Sequence, residues 1–172
     1  MTMPVFGAGQ RVSGNQLNLM ARKIDQNSSD ITNLINPPLC IATRVANQVI
    51  GTAAVTAISL DTEVYDPLNM FAAPAATFTI PFDGIWVITA GGQWESAATG
   101  ERLIMIYANG VEQVGGGLST ATVSTAAAVR QSAKIELPLV AGNTVEMRAF
   151  QTSGANRNFI GRLSASIRSY DT

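Results

Sequence analysis

The chain has few candidates for catalytic or metal-binding residues. Its 172 residues include no histidine. Histidine is the commonest metal ligand and the commonest general base near neutral pH, so its absence argues against an enzyme. A cupin-type jelly roll is excluded for the same reason, since its metal site is rich in histidine. We predict no enzymatic activity and no cofactor.

Four carboxylates are the remaining candidates for a metal site: Asp61, Glu63, Asp66 and Asp83. Carboxylates alone suffice for calcium, so a calcium site is one interpretation. The four lack the regular ligand spacing of a calcium-binding loop, and acidic residues near turns ordinarily accept hydrogen bonds from neighbouring backbone amides. We favour these turn and cap roles and predict no metal site.

Cys40 is the single cysteine, so the chain has no internal disulfide and no zinc cluster. We favour a small buried apolar role for it, which is usual for a free cysteine. The alternative is a disulfide between two chains. Gly115-Gly116-Gly117 is not a phosphate-binding loop, because it lacks both the lysine and the strand-to-helix context.

The composition, 47% hydrophobic and 13% charged with a net charge of −1, predicts one compact domain with an appendage. It also rules out a basic stripe for nucleic acid and a polybasic membrane patch. The first residues lack the pattern of a signal peptide, and no run approaches the ~20 apolar residues of a membrane span. We therefore expect cytosolic synthesis without a cleaved leader, no nucleic-acid partner and no membrane insertion.

A helix is predicted over residues 13–36. Ser13 and Gln16 have the spacing of a capping box, and Pro37-Pro38 ends the helix because proline donates no backbone hydrogen bond. Apolar residues recur at alternating steps of three and four, with one polar member, which is the seam of a coiled coil. The seam residues are Leu17, Met20, Ile24, Asn27, Ile31 and Leu34.

The helix has two interpretations. It either packs on its own domain or joins copies of the chain in a coiled coil. We favour the coiled coil because the seam is narrow and its flanks are polar nearly all round. Asn27 would be costly in a monomer core, whereas in a bundle it can pair with its symmetry mates and fix the register.

Residues 39–172 carry strand signals throughout. Thr77–Trp94 is the densest run of β-branched and aromatic residues, and the Asp83-Gly84 turn inside it predicts a hairpin at the centre of a β-sandwich. Asn109-Gly110 is a strong signal for a tight hairpin turn. Residues 129–137 alternate cleanly except at Gln131, while residues 115–128 have few large side chains and predict an exposed loop.

The β region resembles the C1q-like and tumour-necrosis-factor-like (TNF-like) jelly roll in its order of landmarks. Tyr65-Asp66 stands at the family's YD, and Asn109-Gly110 at its NG. The other matching positions are Phe78, Pro81 and Gly84 for its F, P and G; Gly142, Asn143 and Val145 for its GD.V; and Phe159, Gly161 and Leu163 for its closing F.G.L. The chain is poorer in aromatic residues than the family, has Trp86 where a tyrosine is usual, and has no collagen-like stalk.

The resemblance implies a mainly β chain with a C1q/TNF-like antiparallel jelly-roll sandwich over residues 39–172. It also implies a homotrimer packed around a threefold axis. The short α-helix predicted from the seam spacing directly precedes this domain, and a trimeric coiled coil there fits the same arrangement independently. We expect the large aromatic side chains to lie in the jelly-roll core or between subunits, namely Phe78, Phe82, Trp86, Tyr107, Phe150 and Phe159.

The N-terminal FGAGQRVSGNQLN resembles the opening of many small tail or fibre proteins of bacteriophages. We therefore predict a virion protein made in the host cytoplasm, exposed on the particle surface, with residues 1–12 docking on other virion proteins. Its tip would contact a host cell-surface glycan or protein through two polar loops. The candidate contact residues are Thr120, Thr122, Ser124, Ser153, Asn156 and Arg157.

Two other functions remain open at this stage. A head decoration or head fibre would stabilise the particle without meeting a receptor. A bacterial surface or spore-coat C1q-like protein is the third candidate, and the short stalk argues against it.

Overall fold

The structure is a computed structural model that describes residues 14–35, 38–113, 115, 118–120 and 128–170. Side chains are described for only part of the helix, residues 14–25, 27 and 28. The chain divides between Pro37 and Pro38 into two units.

The first unit contains helix α1, Gly14–Ile35. Its bounds agree with the predicted helix to within one residue at each end, and Ser13 of the predicted capping box lies outside the described residues. At ~1.5 Å per residue, the 22 residues span about 33 Å.

The second unit is built from antiparallel strands. Their bounds, over the described residues, are β1 Leu39–Ile50, β2 Thr56–Ala57, β3 Thr62–Tyr65, β4 Thr77–Thr79, β5 Gly84–Trp94, β6 Arg102–Ala108, β7 Val111–Glu112, β8 Leu118–Thr120, β9 Val129–Leu139, β10 Thr144–Gln151 and β11 Arg157–Tyr170.

The strands form two sheets. The five-stranded sheet has the order β3-β1-β11-β5-β9. The six-stranded sheet runs β2-β10-β6-β7, with β4 also paired to β10 and β8 also paired to β6. Neighbours in each sheet are mostly distant in sequence, as expected of a jelly roll.

The predicted central hairpin is wrong in its pairing. β4 pairs with β10 in the six-stranded sheet, whereas β5 pairs with β11 and β9 in the five-stranded sheet. The turn at Asp83-Gly84 therefore carries the chain from one sheet to the other. The apolar density predicted a buried position correctly, but it could not say which strand would be the partner.

The core lies between the two sheets, because alternate residues of each strand point inward. Phe78, Trp86 and Phe159 are fully buried there. Phe82 is half-buried, with its ring centroid 5.5 Å from that of Trp86.

Tyr107 and Phe150 lie elsewhere. The alternation along β6 and β10 places these half-buried side chains on the outer face of the six-stranded sheet. Tyr107 and Phe150 were expected either in the jelly-roll core or between subunits. The structure excludes the core, and a position between subunits stays a prediction.

Two local predictions had different outcomes. Asn109 and Gly110 both have positive φ, 51° and 75°, as the tight turn between β6 and β7 requires. The exposed loop predicted over residues 115–128 is wrong for residues 118–120, since β8 pairs with β6.

Candidate contact surfaces

Three of the four carboxylates considered for calcium accept hydrogen bonds from backbone amides. Asp61 accepts hydrogen bonds from the amides of Val45 and Ala46, both at 3.0 Å, Asp66 accepts from that of Phe71 and Asp83 from that of Ala141. Glu63 is exposed. Among the described residues, no three histidine, cysteine or acidic side chains cluster as a metal site would require.

Cys40 lies in the core. Burial, and then the nearby Asp66 carboxylate, raise the pKa of its thiol to about 12, so the reactive thiolate is scarce at neutral pH. Its full burial argues against the interchain disulfide, because a second chain cannot reach the sulfur while the core is intact.

The candidate contact loop is the segment Gln151–Arg157, at the start of which the Gln151 side chain is fully buried. Gln151 Oε1 accepts hydrogen bonds from the amide and hydroxyl of Ser153, at 2.7 and 2.6 Å. Its Nε2 donates to the carbonyl oxygens of Ile50 and Ala155. One buried side chain therefore holds the middle of a tight polar loop, at Ser153 and Ala155, and ties it to the end of β1 at Ile50.

Neighbouring segments hold the same loop. The amide of Gly154 donates to Thr52 Oγ1 at 3.1 Å, and the amide of Glu101 donates to Thr152 Oγ1 at 2.8 Å. The loop is thus preorganised by its own hydrogen bonds, which lowers the entropy lost when it binds a partner.

The predicted contact residues differ in what they can offer. Ser153 is half-buried, and its hydroxyl accepts from Arg157 Nε at 3.0 Å, so both serve the loop itself. Asn156 is exposed, so its side chain is accessible to a partner. Thr120 ends β8 and its side chain is not described, while Thr122 and Ser124 lie outside the described residues.

Sequence reasoning missed a polar bridge between the two sheets. Trp94 Nε1 donates to Gln131 Oε1 at 2.6 Å, and Gln131 Nε2 donates to the carbonyl oxygen of Arg102 at 2.7 Å. In the sequence, Gln131 stands out only as the residue that interrupts an alternating strand. A polar residue at an inward position is the signal that would have found it.

Arg102 is the second missed residue, and only 3% of it is exposed. It donates to the carbonyl oxygens of Thr99 and Glu101, and its Nε has no hydrogen-bond partner among the described residues. Burial, followed by the charge of Arg157, lowers the pKa of Arg102.

A groove of about 570 Å³ runs across the outer face of the five-stranded sheet. We call it the sheet groove. Its lining is largely apolar and comes from β1, β5, β9 and β11. Thr43, Arg162 and Gly91 stand in register across three of these strands, and Val45 forms an exposed apolar rim.

The floor of the sheet groove is glycine because of what lies beneath it. A Cβ at Gly92 would overlap the ring of Phe159 and would lie 2.6 Å from the carbonyl oxygen of Ile160. Phe159 in turn packs on Trp94, with ring centroids 4.8 Å apart. Core packing and the shape of the outer surface are therefore coupled at this point.

Helix α1 exposes its predicted seam. Leu17, Met20 and Ile24 are 57%, 38% and 64% exposed, and Asn27 is exposed as well. The side chains of Ile31 and Leu34 lie outside the described set. Within the described residues, no helix is long and apolar enough to cross a membrane.

Comparisons with known proteins identify the fold. No protein-family model and no curated protein matches the chain. Among solved structures, the globular domain of zebrafish complement 1qA protein matches 78% of this chain and 99% of its own, with a TM-score of 0.62 and 11% identity. The fold is a jelly roll of the C1q and tumour-necrosis-factor type.

Two further structures support this assignment. The Eiger TNF from S. frugiperda matches 78% of this chain and 96% of its own, with a TM-score of 0.51 and 10% identity. The vertex protein P5 of PRD1 matches 77% of this chain and 98% of its own, with a TM-score of 0.56 and 16% identity. The fold predicted from the order of landmarks is thus confirmed at low sequence identity.

Proposed function

We propose that this chain is a non-enzymatic homotrimeric structural protein of a bacteriophage particle, a tail or fibre tip whose loops attach to the host cell surface. The observation that carries the location on a phage particle is the likeness of the jelly roll to the vertex protein P5 of PRD1. The N-terminal resemblance to phage tail and fibre proteins supports the same location independently.

The trimer is supported by the surface of α1. Three large apolar side chains of the seam are exposed when the helix is taken by itself. Burying such a stripe between copies is the usual way in which a helix with a 3-4 apolar spacing is stabilised. The TNF-like resemblance of the second unit supports three as the number of copies.

Attachment is assigned to the loop Gln151–Arg157, with Asn156 at its exposed part. Three copies of a preorganised loop on one stalk raise the effective concentration of each contact, so each can be weak on its own. The partner would be a host cell-surface glycan or protein. Residues 1–12, which lie outside the described residues, would dock on other virion proteins.

A decoration or fibre of the capsid is the second candidate, and the word vertex in the description of PRD1 P5 is what favours it. In that role the protein would stabilise the particle without binding a receptor.

Light scattering tests the oligomeric part of the proposal. We expect a mass three times that of the chain, both for the full chain and for a version that starts at Leu39. A trimer that is lost on truncation would make the helix the assembly element, and a monomeric full chain would contradict the proposal.

Particles that lack the protein separate the two candidate roles. Loss of adsorption by intact particles is expected for an attachment protein. Loss of particle integrity, with normal adsorption of the survivors, would support the decoration role instead.

A further inference from the structure

Two arginines from opposite sheets point between the sheets at the same end of the jelly roll. Arg102 stands two residues before the buried Ile104 on β6, and Arg157 stands two residues before the buried Phe159 on β11. Because alternate residues of a strand share a face, both arginine side chains face the interior. We call Arg102 and Arg157 the arginine pair.

A series of contacts connects the two arginines. Arg102 is opposite Gln151 in the register of β6 and β10. Gln151 Oε1 accepts a hydrogen bond from the Ser153 hydroxyl at 2.6 Å, and that hydroxyl accepts from Arg157 Nε at 3.0 Å. The charge of Arg157 is also close enough to lower the pKa of Arg102, after the larger effect of burial. The two guanidinium groups therefore lie near one another.

The arginine pair keeps several donors unused. The hydrogen bonds of the Arg102 side chain come from Nη1, which donates to the carbonyl oxygens of Thr99 and Glu101 at 3.3 and 2.8 Å. Its buried Nε and its Nη2 donate to no described residue. Among the same residues, Arg157 donates through Nε alone. Adjacent free donors on a guanidinium can bind a carboxylate or a phosphate through two parallel hydrogen bonds.

No described carboxylate pairs with these two guanidinium groups. The acidic residues nearest in the chain are Glu95, which accepts from the amide of Asn158 at 3.0 Å, and Glu101, which is exposed. The sequence has no acidic residue from 113 to 135, so the segment that follows β8 cannot supply one. A buried charge without a counter-charge is costly, and an anion from outside the chain would offset that cost.

We propose that the arginine pair binds an anionic group, a carboxylate or a phosphate, of an acidic glycan on the host cell surface. This inference rests on the proposed attachment function and deepens it, because it names the chemistry of the ligand. Asn156, which is exposed on the same loop, has an amide side chain that can hydrogen-bond the hydroxyls of the same sugar.

The test titrates the full chain, in a calorimeter at low ionic strength, with glucuronate, glucose 6-phosphate and uncharged glucose. We expect saturable binding of at least one of the two acidic sugars and none of glucose. The acidic sugar that binds more tightly shows whether the site prefers a carboxylate or a phosphate. Equal binding of all three sugars, or binding of none, would overturn the inference.

Substitutions then locate the site. Arg157→Gln should weaken the binding of the acidic sugar at least tenfold. Arg168→Gln is the matched control, because Arg168 is an exposed arginine on the same strand and the change in net charge is identical. Its affinity should equal that of the wild type, and equal affinities of the two variants would contradict the assignment.

Arg102→Gln should abolish binding, but it also removes hydrogen bonds that hold the chain before β6. Thermal unfolding shows whether this variant is folded. It also gives a second readout, since a ligand that binds only the folded chain raises the melting temperature. The acidic sugar should raise it for the wild type and Arg168→Gln, and much less for Arg157→Gln.

The outcomes separate this inference from the proposed function. If an acidic sugar binds the wild type but particles that lack the protein adsorb normally, the anion site stands and the attachment role is overturned. If those particles fail to adsorb while neither acidic sugar binds the wild type, attachment stands and the anion site is overturned.

Discussion

The outer faces of the two sheets use their side chains in opposite ways. On the six-stranded sheet, the Arg148 guanidinium lies 4.1 Å from the centre of the Tyr107 ring and pairs with Glu146 at 2.6 Å. On the five-stranded sheet, the sheet groove leaves two arginines without carboxylate partners among the described residues and has glycine at its floor.

The difference shows that exposure alone does not identify a contact surface. Tyr107 and Phe150 are large aromatic residues and therefore suggest a contact surface. On the face where they lie, however, the buried carboxylate of Glu146 already pairs with Arg148. The described lining of the sheet groove includes three glycines and no aromatic residue. A surface with unmet charge and accessible backbone is the better candidate for a partner.

The largest effect is expected beneath the groove, at Gln131. Gln131→Leu removes the partners of Trp94 Nε1 and of the Arg102 carbonyl, and each buried polar group left unpaired costs about 1–3 kcal/mol. We expect a loss of about 3 kcal/mol of unfolding free energy, measured in urea at fixed protein concentration. The exposed Lys134→Gln on the same strand should change it by less than about 0.5 kcal/mol. Equal losses would mean that the bridge between the sheets contributes nothing.

Two adjacent glycines at the floor of the sheet groove, Gly91 and Gly92, should differ in how well each tolerates an added methyl group. Gly92→Ala drives a methyl group into Phe159 and the backbone at Ile160, and we expect it to cost about 2–3 kcal/mol. The methyl group of Gly91→Ala would lie 3.3 Å from the Gln131 carbonyl oxygen and in ordinary contact with Ser132, so this variant should cost about 1 kcal/mol or less. Thermal unfolding of both variants measures the difference. The reverse order would contradict the packing described for the floor.

On the outer face of the six-stranded sheet, the residue to change is Arg148, which contacts both Glu146 and the Tyr107 ring. Arg148→Met leaves the Glu146 carboxylate, which is nearly buried, without its cation and removes the contact with the Tyr107 ring. We expect a loss of about 1–2 kcal/mol, with Arg148→Lys recovering part of it. Subunit exchange should be unchanged. Faster exchange in Arg148→Met would show that this face also takes part in assembly.

The smallest effect is expected at Asp61, whose carboxylate fixes the strand at the rim of the groove. Hydrogen bonds from the amides of Val45 and Ala46, the former with the larger effect, hold the pKa of Asp61 below its ordinary value. A lowered folded-state pKa gives stability that is complete above the unfolded pKa of about 4 and is lost as the pH falls through the folded value.

Asp61→Asn should therefore cost about 1 kcal/mol at pH 7, and the difference from the wild type should shrink below about pH 4. Urea unfolding across this pH range measures it. A difference that stays constant with pH would assign the effect to shape and not to charge.

Much of the fold could be predicted because its signals are local. The seam spacing predicted α1 to within a residue at each end, and Asn109-Gly110 predicted the turn that its positive φ values confirm. The predicted loop contact surface was recognised only as polar. Its fixed geometry depends on Gln151 reaching Ile50, which is 101 residues away in sequence.

The sequence by itself determined the fold class, the helix and the lack of any histidine-based chemistry, because composition, periodicity and turn residues are properties of short segments. Only the tertiary structure decided that β4 and β5 belong to different sheets, that Gln131 joins those sheets, and that the sheet groove exists. The physical reason is that a period of two tells which face of a strand is apolar but not which strand lies beside it. The groove follows from that pairing, since it is lined by four strands brought together from across the chain.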